Sequence, residues 1–265
     1  MLGIYQGRLS YSKKKLQCFP KDPFKEFEIA ANTKYDFIEF FSEEDYSKTN
    51  PIWSLEGINK YKKFSKLNNI KIYSFCDNYY IKNNLALKQS ITYFLKIIKK
   101  IRTLKIKKYI IPLYKKSHIN SSNKKKMIKN LSYISDICTN YNIDLLVESN
   151  MSPKFFNLIK SEIKKKNLYF LFDVGNRVVL KRNISKDLIS FGNKIKHIHL
   201  KDKNIFNKNV IIGRGLVDFD LFFSQLKIIN YKGSYTVESQ RGQNIVNQAY
   251  KNSCFFKSLL RKYKL

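Results

Sequence analysis

The sequence predicts an α/β protein of the (β/α)8 barrel class that forms a single domain over residues 1–265. Three observations lead to this fold class. The length of 265 residues is close to the roughly 250 residues of an α/β barrel. Short apolar runs alternate with longer amphipathic segments from one end of the chain to the other. No linker or change in composition divides the chain, so one domain is expected.

Eight short apolar runs are the predicted strands. Most of them are nearly continuous rather than alternating, which is typical of parallel strands that are buried on both faces. In chain order they are LGIYQ from Leu2, YDFIEFF from Tyr35, IKIYSF from Ile70, KKYIIPL from Lys107, IDLLVE from Ile143, LYFLFD from Leu168, IKHIHL from Ile195 and SYTVE from Ser234.

Amphipathic segments between these runs are the predicted helices, because their apolar residues recur at spacings of three and four. A closed barrel and an open doubly wound sheet both fit the repeated strand–helix order. The first strand is not followed by a GxGxxG turn, which disfavours a dinucleotide-binding open sheet. The three clearest helical stripes are Ile91, Phe94, Leu95, Ile98 and Ile101, then Ile128, Leu131, Ile134 and Ile137, then Leu221, Phe222, Leu226 and Ile229.

The formal net charge of +31 raises the question of a polyanionic partner, because a basic surface attracts phosphates. The lysines are spread along the whole chain together with many Ile, Asn and Tyr residues, whose codons are rich in A and T. This pattern favours a compositional bias over a nucleic-acid surface. The densest runs, residues 13–15, 124–126 and 164–166, are expected on loops or solvated helix faces.

The four cysteines and the first residues of the chain bear on its compartment. The cysteines form no CxxC pair, so free thiols in a reducing compartment are expected. The start of the chain has no basic segment ahead of a long apolar one, and no apolar run is long enough to span a membrane. A cytoplasmic protein without a membrane partner is therefore the expectation.

Acidic and histidine side chains end the last four predicted strands, where barrel enzymes carry their chemistry. Glu148, Asp173, His199 and Glu238 stand at these ends, and Glu39 ends the second strand. Buried carboxylates repel one another, and a divalent cation among them removes that cost. Oxygen ligands with one histidine favour Mn²⁺, with Mg²⁺, Co²⁺ and Zn²⁺ as alternatives.

The two histidines of the seventh strand are expected to differ in role. We expect alternation along the strand to point His199 into the barrel, so that His197 faces the helix layer or supports the site. His118 lies in a polar loop after the fourth strand and is expected at the surface.

Six segments make the resemblance to a known family specific. They are LGIYQGRLS, LLVES around Glu148, FDVGN around Asp173, HIHLKD around His199, GRGLVDF around Gly213, and TVESQRG around Glu238. The segments run in the order found in the xylose-isomerase-like TIM barrel superfamily of sugar phosphate isomerases and epimerases, and the chain resembles this superfamily.

The resemblance implies a metal site and a proton-transfer mechanism. Glu148, Asp173, His199 and Glu238 would bind one divalent metal ion, and Glu148 and Glu238 would act as an acid–base pair on opposite faces of the substrate. The metal would stabilise the enediolate that forms between removal and return of a proton beside the carbonyl. The reaction class is epimerisation or aldose–ketose isomerisation of a small sugar or sugar phosphate.

Five further residues are candidate substrate ligands. An arginine can hold a phosphate or carboxylate with two hydrogen bonds, although a surface or helix-capping role fits Arg8 and Arg241 equally well. Asn176 stands where many family members have a substrate-contacting histidine, which puts the transfer of a particular substrate in doubt. The set is Arg8, Asn176, Lys201, Arg214 and Arg241.

Three other functions are alternatives to this one. Endonuclease IV-like relatives need a three-zinc cluster that the chain's three histidines do not supply, so nucleic acid is not an expected partner. A metal-dependent dehydratase of a keto sugar or cyclic polyol needs the same base and acid and stays open. A non-catalytic sugar-binding barrel is the alternative from another class. Family members are often dimers or tetramers, so a homo-oligomer also stays open.

Overall fold

The computed structural model describes residues 1–10 and 16–265, so the lysine run 13–15 lies outside the described residues. Eight parallel strands close into a barrel in the spatial order β1, β10, β7, β6, β5, β4, β3, β2, which confirms the (β/α)8 class. Strands β8 and β9 form a separate antiparallel pair. The strands are β1 (Leu2–Tyr5), β2 (Phe37–Ser42), β3 (Lys71–Asp77), β4 (Lys108–Pro112), β5 (Asp144–Glu148), β6 (Leu168–Asp173), β7 (Ile195–Leu200), β8 (Asp202–Lys203), β9 (Asn209–Val210) and β10 (Ser234–Val237).

Helices follow the barrel strands as the hydrophobic stripes predict. Pro153 begins one of them at the position where a missing N–H costs little, and Ser152 caps it by accepting from Phe155 N. The helices are α1 (Lys25–Asn32), α2 (Leu55–Leu67), α3 (Tyr79–Lys82), α4 (Lys88–Ile101), α5 (Lys124–Asn140), α6 (Pro153–Ile163), α7 (Val174–Val178), α8 (Ile184–Phe191), α9 (Phe219–Ile228) and α10 (Ile245–Tyr263).

The three predicted stripes coincide with α4, α5 and α9. Phe94, Ile98 and Leu131 are buried in the core, as the spacing predicts. Leu221 is an exception, because it lies in the first turn of α9 and keeps 53% of its surface exposed. The buried apolar face of α9 consists of Phe219, Phe222, Phe223 and Leu226.

The chain divides into two compact units by contact density. The first unit comprises Met1–Glu39, Phe64–Lys71 and Phe170–Leu265, and the second comprises Phe40–Lys63 and Ile72–Tyr169. The expectation of a single domain over residues 1–265 stays a prediction.

The register of the strands in the first unit determines which side chains are neighbours. In β6, Asp173 is paired with His199 of β7, and His199 is paired in turn with Thr236 of β10. On the other side of β10, Tyr5 of β1 is paired with Glu39 of β2. Residues opposite each other in parallel strands lie at one level of a barrel, so these side chains can meet.

The second unit is built around β3, β4 and β5. Phe75 is paired with Tyr109, and their rings stack at a centroid distance of 5.9 Å. Pro112 is paired with Glu148, the last residue of β5. Asp77, at the end of β3, is a completely buried carboxylate of this unit.

The lysine runs, the cysteines and the apolar character of the helices can be compared with the expectations from composition. The lysine runs 124–126 and 164–166 lie at the start of α5 and just after α6 on solvated positions, as expected. Cys18, Cys76, Cys138 and Cys254 are free thiols. Within residues 1–10 and 16–265, no helix has the length and apolar character needed to cross a bilayer.

Candidate active site

Three of the four predicted metal ligands lie together in the first unit. His199 Nδ1 is 3.2 Å from Glu238 Oε2 and 3.9 Å from Asp173 Oδ2. Asp173 ends β6, and Glu238 follows β10 directly. All three side chains are buried. Two carboxylate oxygens therefore face one imidazole nitrogen in a setting that excludes most water.

Glu39 of β2 organises the histidine end of this cluster. Its Oε1 lies 2.7 Å from His199 Nε2, and its Oε2 lies 2.8 Å from His197 Nε2. His197 Nδ1 also contacts Ser234 Oγ at 2.7 Å. A carboxylate on one ring nitrogen fixes the tautomer and directs the other nitrogen towards a ligand position. Glu39 thus aims His199 Nδ1 at Asp173 and Glu238.

The expected difference in direction between His197 and His199 is wrong. Both rings contact the same carboxylate, and their centroids are 5.6 Å apart. Side chains alternate with a period of two, so residues 197 and 199 point to the same side of β7. His197 supports the site from within the barrel network and does not face the helix layer.

Two opposing influences act on Glu39. Burial raises the pKa of its carboxyl. The charges of His199 and His197, together with their hydrogen bonds, lower this pKa by more than burial raises it. The net effect is a pKa well below the ordinary value for a glutamate. Glu39 is therefore an anion that holds both rings.

Cations surround Glu238. Lys201 Nζ lies 3.0 Å from Glu238 Oε2 and 2.6 Å from Asp173 Oδ2, and Arg8 donates to Glu238 Oε1 at 3.1 Å. Burial raises the pKa of Glu238, but Lys201, His199 and Arg8 outweigh it and bring the pKa well below its usual range. The carboxylate stays ionised.

Two arginines contact Gly7 and residues 16–18, which lie between β1 and α1. Arg241 donates from Nη2 to the carbonyl oxygens of Gly7 and Leu16, each at 2.7 Å, and Arg8 donates to Leu16 O and to Gln17 Oε1. Gly7 has a φ of 81°, and a Cβ there would clash with Cys18 O. Arg241 therefore contacts backbone, and a role in substrate binding stays a prediction for both arginines.

Glu26 of α1 also contacts this part of the chain, at Gly7 and Ser10. Both carboxylate oxygens accept from Gly7 N, and Oε1 accepts from Ser10 Oγ at 2.7 Å. Burial raises the pKa of Glu26 to about 7, against these hydrogen bonds, which lower it. The segment that carries Arg8 is thus fixed by an acid on one side and by Arg241 on the other.

Asn176 and Arg214 lie in different settings. Asn176 N donates to Asp173 Oδ1 at 2.8 Å and its Nδ2 donates to Asp173 Oδ2 at 3.1 Å, so this residue orients a predicted metal ligand. Arg214 is exposed in the loop after β9. Asp202 shapes that loop, since its carboxylate accepts from the backbone N–H groups of Gly213, Gly215 and Val217.

Glu148 belongs to the second unit, at the end of β5. Tyr114 donates to its Oε1 at 3.1 Å, and its carbonyl oxygen accepts from Leu113 N at 2.8 Å. The side chain is buried. Its position at a strand end agrees with the expectation, and its roles as metal ligand and as acid or base stay predictions.

The donors in the first unit suit a hard or borderline divalent cation. Carboxylate oxygens with one imidazole are the ligand types that Mn²⁺, Mg²⁺, Co²⁺ and Zn²⁺ accept. The short contacts of Lys201 to Asp173 and Glu238 also indicate that a positive charge is needed between these carboxylates. Asp173, His199 and Glu238 therefore fit a metal ion.

A profile of the xylose isomerase-like TIM barrel family matches residues 27–259. The chain belongs to this family. Segments of it are also similar to curated proteins. A Haemophilus influenzae protein provisionally named as an L-ribulose-5-phosphate 3-epimerase is 39% identical over 80 residues, which covers 27% of this chain and 28% of that protein. An L-ribulose 3-epimerase of Methylomonas sp. is 23% identical over 124 residues, covering 44% of this chain and 42% of that protein.

An inosose dehydratase of Clostridium beijerinckii is 33% identical over 98 residues, which covers 30% of this chain and 33% of that protein. The matched parts thus span less than half the length of these curated relatives.

Solved structures of other proteins superpose on nearly the whole of this chain, although their sequence identity to it is low. A D-psicose 3-epimerase of Clostridium cellulolyticum has a TM-score of 0.73 at 16% identity, covering 99% of this chain and 95% of that one.

A structure of an L-ribulose 3-epimerase has a TM-score of 0.77 at 12% identity, with coverage of 99% of this chain and 95% of that one. At such identities the likeness establishes the fold alone. The chemistry of this family member has to be argued from its own site.

Proposed function

We propose that this member of the xylose isomerase-like family is a divalent-metal-dependent isomerase or epimerase of a small sugar or sugar phosphate. The observation that carries the proposal is the approach of Asp173 Oδ2 and Glu238 Oε2 to His199 Nδ1. The names of its relatives, which include sugar 3-epimerases, support the same class of reaction.

Glu148, Asp173, His199 and Glu238 are the proposed metal ligands. Glu148 joins the set because it ends β5 and because the family resemblance assigns it there. These residues would hold a divalent ion, Mn²⁺ in the first place, which would supply positive charge beside the substrate oxygens that become negative during the reaction. Glu39 fixes the ring of His199 for this role through its contact with Nε2.

The proposed proton transfers use Glu148 and Glu238. One carboxylate takes the proton from the carbon next to the carbonyl, and the other returns a proton. Return to the opposite face of the same carbon gives an epimer, and return to the neighbouring carbon gives the aldose or ketose. Arg8 holds Glu238 through Oε1, so the orientation of this carboxylate is set before substrate binds.

The test is deuterium uptake from D₂O. Protein stripped with chelator and reloaded with Mn²⁺ is incubated with ketoses and their phosphates, and the carbon-bound deuterium is measured by NMR. We expect Mn²⁺-dependent uptake beside the carbonyl, lowered by about 10²- to 10⁴-fold in Glu238→Gln. Glu56→Gln makes the same chemical change on an exposed helical residue and should leave uptake unchanged.

Other outcomes separate the alternatives. Bound Mn²⁺ and bound sugar with neither deuterium uptake nor a new sugar would contradict the isomerase proposal and favour a non-catalytic sugar-binding barrel. Loss of one water from the product would point to a dehydratase, which the similarity to an inosose dehydratase supports as the second candidate. The cytoplasmic location stays a prediction, and the oligomeric state and the phosphorylation state of the sugar stay open.

A further inference from the structure

The ammonium group of Lys201 lies among the proposed metal ligands. It is 2.6 Å from Asp173 Oδ2 and 3.0 Å from Glu238 Oε2. These are the same two oxygens that face His199 Nδ1. Lys201 is 6% exposed, so its charge is neutralised by these carboxylates rather than by water. A lysine thus contacts the oxygens that a metal ion would need.

Asp173 Oδ2 and Glu238 Oε2 cannot bind a metal ion and the Lys201 ammonium equally well at the same time. A divalent ion binds carboxylate oxygens at roughly 2.0–2.2 Å, and it would have to share both oxygens with the ammonium. The two positive charges would then lie next to each other in a buried setting, where like charges repel strongly. Arg8 contacts the other oxygen of Glu238, Oε1.

The backbone of Lys201 is held in place, so only its side chain can move away from the carboxylates. Its main chain directly follows β7, whose position is fixed by pairing with β6 and β10. The stem of the side chain passes close to Gly175, where a Cβ would lie 2.6 Å from Lys201 Cγ. Gly175 therefore makes room for the position in which the ammonium reaches Asp173.

We propose that Lys201 is an internal cation that neutralises Asp173 and Glu238 in the metal-free protein and has to leave them when a divalent ion binds. The inference rests on the proposed function, since it concerns the same metal site. Metal affinity is then the result of a competition, because the site is available only when the ammonium is displaced. The displaced ammonium can donate to a substrate oxygen, which is the role predicted from the sequence.

The test compares Lys201→Met with Lys203→Met. Both substitutions remove one positive charge, and Lys203 donates to Asn207 Oδ1 in the β8–β9 hairpin, so it controls for net charge. Mn²⁺ affinity of chelator-treated protein is measured by calorimetry. We expect Lys201→Met to bind Mn²⁺ about tenfold more tightly than the unaltered protein. Lys203→Met should not change the affinity.

Thermal unfolding provides a second readout that does not depend on activity. In the presence of chelator, Lys201→Met should unfold at a lower temperature, because Asp173 and Glu238 are left without their cation. Mn²⁺ should restore its stability. Lys201→Arg keeps the charge and should keep the weaker Mn²⁺ affinity of the unaltered protein.

A third measurement needs no substitution. Reductive methylation of Lys201, followed by mass spectrometry, should be slow in the metal-free protein and faster with Mn²⁺. Equal labelling rates, or an Mn²⁺ affinity of Lys201→Met that is unchanged or weaker, overturn the inference. If Mn²⁺ binds as expected but no sugar exchanges a proton, the proposed function fails and the competition stands. Absence of Mn²⁺ binding in all variants overturns the inference together with the metal site.

Discussion

Asp77 is a completely buried carboxylate of the second unit, and its replacement by asparagine tests the electrostatics of this core. Asp77 accepts hydrogen bonds from Ser42 Oγ at 2.5 Å, from Tyr93 OH at 3.2 Å and from Tyr109 OH. Burial raises the pKa of Asp77 to about 6, against these hydrogen bonds, which lower it. The substitution Asp77→Asn keeps the shape of the side chain and removes the titration.

The size of the effect follows from the difference between the folded and unfolded pKa. The raised value of about 6 compares with an ordinary value of 3.8, and each unit is worth about 1.36 kcal/mol, so the total is about 3 kcal/mol. A raised pKa contributes stability below the unfolded value, and this contribution is lost as the pH rises through the folded value. The loss therefore falls between about pH 4 and about pH 7.

The assay is urea unfolding of both proteins across this range. The free energy of unfolding of Asp77→Asn minus that of the unaltered protein should rise by about 3 kcal/mol from low to neutral pH. Asp136→Asn changes an exposed aspartate and controls for the effect of one charge. A difference that stays flat with pH for Asp77→Asn would refute the reasoning, since the carboxylate would then be equally accommodated in both states.

Three further substitutions test other parts of the molecule. Glu39→Gln should weaken Mn²⁺ binding by about 10- to 100-fold by calorimetry; an unaltered affinity would contradict its role in orienting the metal ligand. Asp187→Asn should lower the free energy of unfolding by about 3 kcal/mol, because Arg177, whose Nη1 is 2.6 Å from Asp187 Oδ2, loses its anion; a neutral result in urea unfolding would argue against a strong pair. Gly7→Ala should destabilise the protein by about 1 kcal/mol or more, since its Cβ would clash with Cys18 O; a melting temperature equal to that of the unaltered protein would exclude this clash.

The fold could be predicted from the sequence because most residues of the barrel strands are buried on both faces, as in β2 and β6. The run LYFLFD became β6 and ends at Asp173, as the pattern predicts. Position at a strand end also located Glu148, and located Glu238 just after β10. Shorter elements such as the β8–β9 hairpin lack a periodic pattern, because two-residue strands are too short to show one.

Contacts between distant residues were not accessible in this way. Arg241 reaches the carbonyl of Gly7 across 234 positions, and neither residue carries a local signal of the other. Lys201 was expected near substrate. Its contacts to Asp173 and Glu238 were not expected, because they depend on where its buried side chain ends in the folded protein. The shared carboxylate of His197 and His199 could have been found, since a spacing of two along a strand places both rings on one side.

The pairing of β1 with both β2 and β10 has a consequence for the order in which the protein forms during synthesis. The second unit is encoded entirely between residues 40 and 169, so all of its residues have left the ribosome while β10 has yet to be made. The apolar edge of β1 stays without its last partner until residues 234–237 emerge. We expect nascent chains that stop before this point to expose an edge prone to aggregation, and to depend on chaperones until translation ends.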